Sequence, residues 1–125
     1  MNRIYLASQY HRAKELQGYA SKLKTLGHEV TSRWITGKWD NARESECAAV
    51  DVGDLARAQM LVLFSCPKEE YTGGGGCHIE FGMALAVHKR VVVVGPRTSV
   101  FHYLPVVKHY DLWVDCLIQE FSDVS

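Results

Sequence analysis

One carboxylate, Glu80, follows four consecutive glycines and stands in the first turn of a predicted helix. The glycines at 73–76 let the backbone approach a ligand closely and adopt positive φ angles without a steric penalty. The N-terminus of a helix presents free N–H groups and partial positive charge, so we expect Glu80 to be ionised at neutral pH. Such a glutamate beside an open loop is suited to act as a nucleophile. The alternative is that Glu80 only complements the helix dipole.

Apolar runs that resemble buried strands alternate with segments of helical periodicity along the chain. Uninterrupted apolar strands that are separated by helices predict an α/β fold, in which a mainly parallel sheet is covered on both faces. We predict one domain over residues 1–125. The predicted strands are 4–7, 28–32, 60–64 and 90–94, with a short fifth strand at 100–103, and the predicted helices are 8–26, 42–58, 77–88 and 112–121.

The composition argues against a protein that binds nucleic-acid polymers, membranes or metal ions. The 14 basic and 14 acidic residues give no net charge, so binding to a nucleic-acid polymer has no electrostatic support. No apolar segment is long enough to span a bilayer, and we expect no membrane partner. The four cysteines include no C-x-x-C pair, which favours reduced thiols in a cytoplasmic protein and gives little support to a metal site.

Ligands of parallel α/β sheets bind beyond the carboxyl ends of the strands. Hydroxyl groups and arginines at these positions could bind phosphate, and aromatic rings could stack on a base, so this edge suits a sugar phosphate that carries a flat ring. The residues that follow the first four predicted strands are Ser8, Gln9, Tyr10 and Arg12; Arg33 and Trp34; Ser65 and the glycine loop with Glu80; and Arg97, Thr98 and Ser99.

The glycine loop does not match the common nucleotide-cofactor motifs. A dinucleotide fingerprint follows the first strand, whereas these glycines follow the third. A Walker A loop continues with Lys-Ser or Lys-Thr after its last glycine, whereas this chain continues with Cys77 and His78. We therefore predict that the protein uses no cofactor.

Three segments together carry a family resemblance: residues 5–8 (Tyr-Leu-Ala-Ser), residues 51–58, and the glycine run followed by residues 80–84 (Glu-Phe-Gly-Met-Ala). In this order and spacing, the chain resembles the nucleoside 2-deoxyribosyltransferase superfamily, which includes the 2′-deoxynucleoside 5′-phosphate N-hydrolases and the CMP N-glycosidases. The resemblance covers nearly the whole chain. It implies a Rossmann-like (flavodoxin-like) three-layer sandwich, a homodimer or larger assembly, and cleavage of the bond between a base and C1′ of the sugar.

The resemblance also implies roles for individual residues. Glu80 matches the catalytic glutamate, Asp51 matches an aspartate near the sugar and base, and Tyr5 matches a tyrosine that orients the glutamate. Asp54, one helical turn from Asp51, is a second candidate for contact with the substrate. The structural alternatives are that Asp51 and Asp54 are surface residues near Arg57 and that Tyr5 belongs to the core.

Other residues would bind the substrate. Ser8 and Arg12 match positions that hold a 5′-phosphate in the hydrolases, although those enzymes have Ser-x-Arg-Gly-Gly there, and Arg12 could instead pair with Glu15. Ser99 resembles a serine that is contributed to a neighbouring subunit's phosphate. Trp34 could stack on the base. The glycines Gly74, Gly75 and Gly76 would line the substrate site.

Three functions remain open from the sequence. The first is hydrolysis of a nucleoside 5′-monophosphate to base and sugar phosphate, which Ser8, Arg12 and Ser99 favour. The second is base exchange on deoxynucleosides by a deoxyribosyltransferase. The third is a non-catalytic module that binds a nucleotide, in which Glu80 would be dispensable.

Overall fold

The protein is an α/β sandwich built on a five-stranded parallel sheet, in a computed structural model that describes residues 1–37 and 43–122. The strands within these residues lie in the order β2-β1-β3-β4-β5, and every neighbouring pair is parallel. They are β1 (Arg3–Ala7), β2 (Glu29–Val30), β3 (Met60–Phe64), β4 (Arg90–Val94) and β5 (Val107–Tyr110). The α-helices are α1 (Ala13–Thr25), α2 (Glu44–Arg57), α3 (Gly76–Ala86) and α4 (Trp113–Phe121).

The core lies on both faces of the central strands, which are buried along most of their length. On one face, Tyr19 of α1 stacks on Phe64 of β3 at 4.6 Å between ring centroids, and Trp113 of α4 lies 5.0 Å from Tyr19. Helices α2 and α3 contact each other and β1. This burial of both faces explains why β3 and β4 are uninterrupted apolar runs. No helix of the described residues is long and apolar enough to cross a membrane.

The predicted parallel α/β class is confirmed, but the fifth strand was predicted at the wrong place. Residues 100–103 form a 3₁₀ helix, in which the Ser99 hydroxyl accepts a hydrogen bond from the backbone N–H of Phe101 at 3.2 Å. The fifth strand is β5, which pairs with β4 from Val107 onward. It lies at the sheet edge and includes the exposed Lys108, so it has no continuous apolar run to mark it.

Several other boundaries differ from the predicted ones. Helix α1 begins at residue 13 rather than 8, because Gln9 is extended and residues 10–12 form a 3₁₀ turn. Strand β2 is two residues long rather than five. Helix α3 begins at Gly76, so Glu80 is its fifth residue and lies beyond the first turn. Most of the loop predicted at 36–41, and the predicted start of the second helix, lie outside the described residues.

The strand order creates a crevice between β1 and β3. The chain leaves β1 to form β2 on one side and then crosses back to form β3 on the other side. At such a switch point the connections diverge beyond the carboxyl ends of the strands, and ligands of this fold class bind there. The glycine loop after β3 borders this crevice and turns into α3 at Gly75, whose φ of +75° is a conformation that L side chains rarely adopt.

Candidate active site

A cavity of about 320 Å³ lies beyond the carboxyl ends of β1 and β3, where the strand order predicts a ligand site. Its walls come from the segment after β1, the 3₁₀ turn after β2, helix α2, the glycine loop and the start of α3. The lining residues are Ser8, Gln9, Tyr10, Trp34, Cys47, Asp51, Tyr71, Thr72, Gly73, Gly74, Gly75, Gly76, Cys77, His78 and Glu80.

Tyr5 and Glu80 form a hydrogen-bonded pair at the inner end of this cavity. Tyr5 is fully buried in β1, and its hydroxyl donates a hydrogen bond to the Oε2 atom of Glu80. Burial, together with the nearby charge of Asp51, raises the pKa of Glu80 to about 7, although the Tyr5 hydrogen bond acts in the opposite direction. Burial at the fifth residue of α3 therefore opposes the ionisation of Glu80 that was expected from the helix N-terminus.

Asp51 projects from α2 into the same cavity. Its Oδ1 atom is buried and accepts no hydrogen bond from any described residue. Burial, and then the charge of Asp54, raise the pKa of Asp51 to about 6, while Arg33 lowers it. A buried, unpartnered carboxyl oxygen with a raised pKa can hold a proton and donate it to a bound group.

Asp54, predicted to touch the substrate, lies outside the cavity lining and is fully buried. Its carboxylate accepts hydrogen bonds from the backbone N–H and guanidinium of Arg33, and from Arg57 at 3.0 Å. These donors engage both carboxylate oxygens and hold the pKa of Asp54 below its usual value, against the effect of burial. Asp54 therefore anchors the 3₁₀ turn that carries Trp34 and does not line the cavity.

The predicted phosphate-binding residues are not brought together in this cavity. Ser8 lines it, but its hydroxyl donates to the carbonyl oxygen of Phe64 at 2.9 Å. Arg12 lies outside the lining, paired with Glu15 at 2.6 Å and donating to the carbonyl oxygens of Phe64 and Ser65. Ser99 lies in a neighbouring groove. The alternative noted from the sequence, an Arg12–Glu15 pair, is the arrangement observed.

Trp34, which was predicted to stack on a base, lies in the wall of the cavity. Its indole N–H donates to the carbonyl oxygen of Leu6 at 2.7 Å, which fixes the ring in the cavity wall. Tyr10, which the sequence placed near this edge without a role, lies 6.3 Å from Trp34 between ring centroids, at an angle of 37°. The two rings form an aromatic side of the cavity.

Sequence reasoning missed several lining residues, because no motif marks them. Thr72 meets Gln9 only through the fold, and Tyr71 and Cys47 come from segments that were predicted to be a loop and an ordinary helix. His78 is half-buried and also lines the cavity.

Neighbouring side chains are poor alternatives to Glu80 as a nucleophile. Burial raises the pKa of the Cys77 thiol to about 11, so the thiol stays protonated near neutral pH. Burial lowers the pKa of His78 and favours a neutral imidazole. Within residues 1–37 and 43–122, no three metal-ligating side chains are grouped closely enough to hold an ion.

The strand order and the cavity beyond β1 and β3 define a doubly wound α/β protein with a carboxylate site at its switch point. No protein-family model matches the sequence, and no match was found among curated protein sequences. Similarity is found instead among solved structures.

The chain is similar to the 2-deoxyribosyltransferase of the psychrotolerant bacterium Bacillus psychrosaccharolyticus, with a TM-score of 0.72, 18% identity, and coverage of 98% of this chain and 93% of that chain. It is also similar to the CMP N-glycosidase of Clostridium botulinum, with a TM-score of 0.64, 18% identity, and coverage of 86% and 87%. A conserved protein from Enterococcus faecalis V583 matches with a TM-score of 0.58, 17% identity, and coverage of 94% and 84%. The chain therefore has the fold shared by these proteins, as the sequence resemblance predicted.

The hydrogen bond from Tyr5 to Glu80 gives a first prediction. Because the phenol donates to the carboxylate, it favours the ionised form, and a Tyr5→Phe substitution should raise the pKa of Glu80 further. An activity that needs ionised Glu80 should then be lower by about tenfold at neutral pH. The pH profile of kcat/KM measures this change. A variant with the activity and pH profile of the wild type would contradict the coupling.

Proposed function

We propose that this protein cleaves the N-glycosidic bond of a nucleoside or nucleoside 5′-monophosphate in this cavity. The observation that carries the proposal is that Asp51 of α2 and Glu80 of α3 line one aromatic-sided cavity, with Glu80 hydrogen-bonded to the buried Tyr5 of β1. The charge of Asp51 contributes to the raised pKa of Glu80, and burial raises the pKa values of both carboxyl groups. Paired carboxyl groups with distinct surroundings are typical of glycoside-bond cleavage.

In the proposed reaction, ionised Glu80 attacks C1′ or stabilises the positive charge that develops there. The C1′–N bond breaks, its electron pair goes to the base, and protonated Asp51 supplies the proton that the base needs. Water then attacks C1′, releases Glu80 and returns a proton to Asp51. The active form holds one proton on the pair, so activity should be greatest between about pH 6 and 7. Because the pKa of Glu80 is the higher of the two, this proton lies on Asp51 in only a minority of the molecules.

The glycine loop is the part of the cavity that would hold a 5′-phosphate. The glycine loop leads into the N-terminus of α3, where backbone N–H groups favour an anion. Against this, Ser8 and Arg12 already bind within the protein. Hydrolysis of a monophosphate remains the first form of the proposal, and it requires the glycine loop to hold much of the phosphate.

Base exchange on deoxynucleosides is the second candidate, and the similarity to a 2-deoxyribosyltransferase supports it.

One experiment distinguishes hydrolysis from base exchange. Nucleosides and their 5′-monophosphates are incubated with the protein, with and without a second free base, and the products are separated by chromatography. Release of base from monophosphates alone supports hydrolysis. Formation of a new nucleoside supports transfer. Tight binding without any product would instead support the non-catalytic nucleotide-binding module, in which Glu80 is dispensable.

We also propose that the protein is a homodimer or a larger homo-oligomer. A groove of about 680 Å³ adjoins the cavity and shares Tyr71 and His78 with it. Phe101, 58% exposed, lines this groove, and Val100 and Tyr103 beside it are 79% and 63% exposed. Contiguous apolar exposure of this kind marks association sites. A second copy seated there would cover these side chains and bring its own residues close to the cavity.

The oligomer gives a second prediction. A Phe101→Glu substitution places a charge in the proposed interface, so the mass measured by light scattering during size-exclusion chromatography should fall to that of one chain. An exposed lysine far from the groove, such as Lys14→Glu, is the matched control. A wild-type protein that runs as a monomer would contradict the proposal.

A further inference from the structure

Gln9 joins two parts of the cavity wall that are distant in sequence. It follows β1, is only 7% exposed and lines the cavity. Its side-chain oxygen accepts hydrogen bonds from the backbone N–H of Thr72 at 2.5 Å and from the Thr72 hydroxyl at 3.1 Å. Its amide nitrogen donates to the Cys66 sulfur at 2.9 Å. One buried amide therefore binds both ends of the segment between β3 and the glycines.

This segment needs such an anchor, because it forms one wall of the cavity while its own backbone is not part of the sheet. Its local backbone hydrogen bonds run within residues 67–71, and the glycines that follow include Gly73 and Gly75 with positive φ. Glycine-rich backbone loses much conformational freedom when it is ordered. A hydrogen bond at Thr72, immediately before the glycines, fixes the point from which they start.

We infer that Gln9 is the positioning residue that holds the glycine loop in its substrate-binding conformation, through its hydrogen bonds to Thr72 and Cys66. The inference rests on the proposed function in taking the cavity as a nucleoside site. Gln9 has no hydrogen bond to Tyr5, Glu80 or Asp51 among the contacts of the described residues. Its loss should therefore weaken ligand binding more than the chemical step.

The test combines hydrogen exchange with steady-state kinetics. In a Gln9→Leu variant, the Thr72 amide should exchange about tenfold faster, as expected for the loss of one net hydrogen bond, and KM should rise by about the same factor while kcat changes little. The Leu61 amide in the buried strand β3 reports the global fold and should remain as protected as in the wild type. Gln9→Glu keeps an oxygen acceptor and should keep the Thr72 amide protected.

A matched control comes from the other side of the same contact. Thr72→Val removes the hydroxyl but keeps the backbone N–H that donates a hydrogen bond to the Gln9 side-chain oxygen. It should therefore change KM less than Gln9→Leu does. Unchanged Thr72 exchange in Gln9→Leu would overturn the inference, as would equal loss of protection at Leu61. If the wild type turns over no nucleoside, the proposed function fails, but Thr72 exchange still decides the role of Gln9.

Discussion

A Glu80→Gln variant is expected to lose about a thousandfold or more in kcat/KM for N-glycoside cleavage, because the amide can neither attack C1′ nor balance its positive charge. Glutamine has nearly the same shape and keeps an oxygen that can accept the hydrogen bond from Tyr5. The fold and the cavity should therefore be preserved. Steady-state base release measures the loss, and the thermal midpoint Tm checks that the variant is folded.

The control for this variant is Glu69→Gln, which removes an exposed carboxylate from the 3₁₀ helix between β3 and the glycines. Its kcat/KM should stay close to that of the wild type. A loss of less than about tenfold in Glu80→Gln would be too small for a group that acts on the reacting carbon. Glu80 would then be a structural partner of Tyr5.

An Asp51→Asn variant is expected to be slower but more stable. The amide can donate a hydrogen bond to the departing base but cannot transfer a proton, so kcat should fall by about a hundredfold or more while KM changes little. The loss should be smaller for substrates whose base is a better leaving group, since such a base needs less help from an acid. Measuring kcat for a series of bases tests this dependence.

The stability of this variant depends on pH in a defined direction. The folded protein binds a proton on Asp51 more tightly than the unfolded chain does, since its pKa is raised to about 6. The contribution of Asp51 to the stability of the wild type therefore falls as the pH rises from about 4 through 6. At higher pH, Asp51→Asn should exceed the wild type by about 1 kcal/mol in free energy of unfolding. This value is smaller than the whole pKa shift would give, because the carboxyl group is only half-buried and solvent screens its charge. Below about pH 4 the gain should vanish.

Chemical denaturation at several pH values measures this gain. The matched control is Asp115→Asn in α4, which removes an exposed carboxylate far from the cavity. It should show no comparable pH-dependent gain. A uniform destabilisation of Asp51→Asn at every pH would mean that the aspartate is a structural residue.

The sequence predicts the centre of this fold well, because burial on both faces leaves a strong signal. Strands β3 and β4 begin and end where they were predicted, since their side chains are apolar on both faces. The edge strand β5 was misplaced for the opposite reason: one of its faces meets solvent, and Lys108 and His109 interrupt the apolar pattern. A nearby apolar segment at 100–103 gave a stronger but misleading pattern.

The candidate site, like the fold, could be predicted from the sequence only in part. Glu80 could be predicted because glycines precede it in the chain, and Tyr5 and Asp51 because they match a family pattern. The pKa of Glu80 could not be predicted, since it depends on burial beneath residues from other elements. The hydrogen bonds of Gln9 to Thr72, and the ion pairs of Asp54 with two arginines, likewise depend on the fold.

The most direct measurement of the central claim is a single-turnover experiment with the protein in excess over each of a set of nucleosides and nucleoside 5′-monophosphates. Free base is detected by chromatography after quenching, for the wild type and Glu80→Gln in parallel. The account predicts that the wild type releases base from at least one substrate and that Glu80→Gln releases almost none in the same time. Equal release by both proteins, or none by the wild type from any substrate, would contradict it.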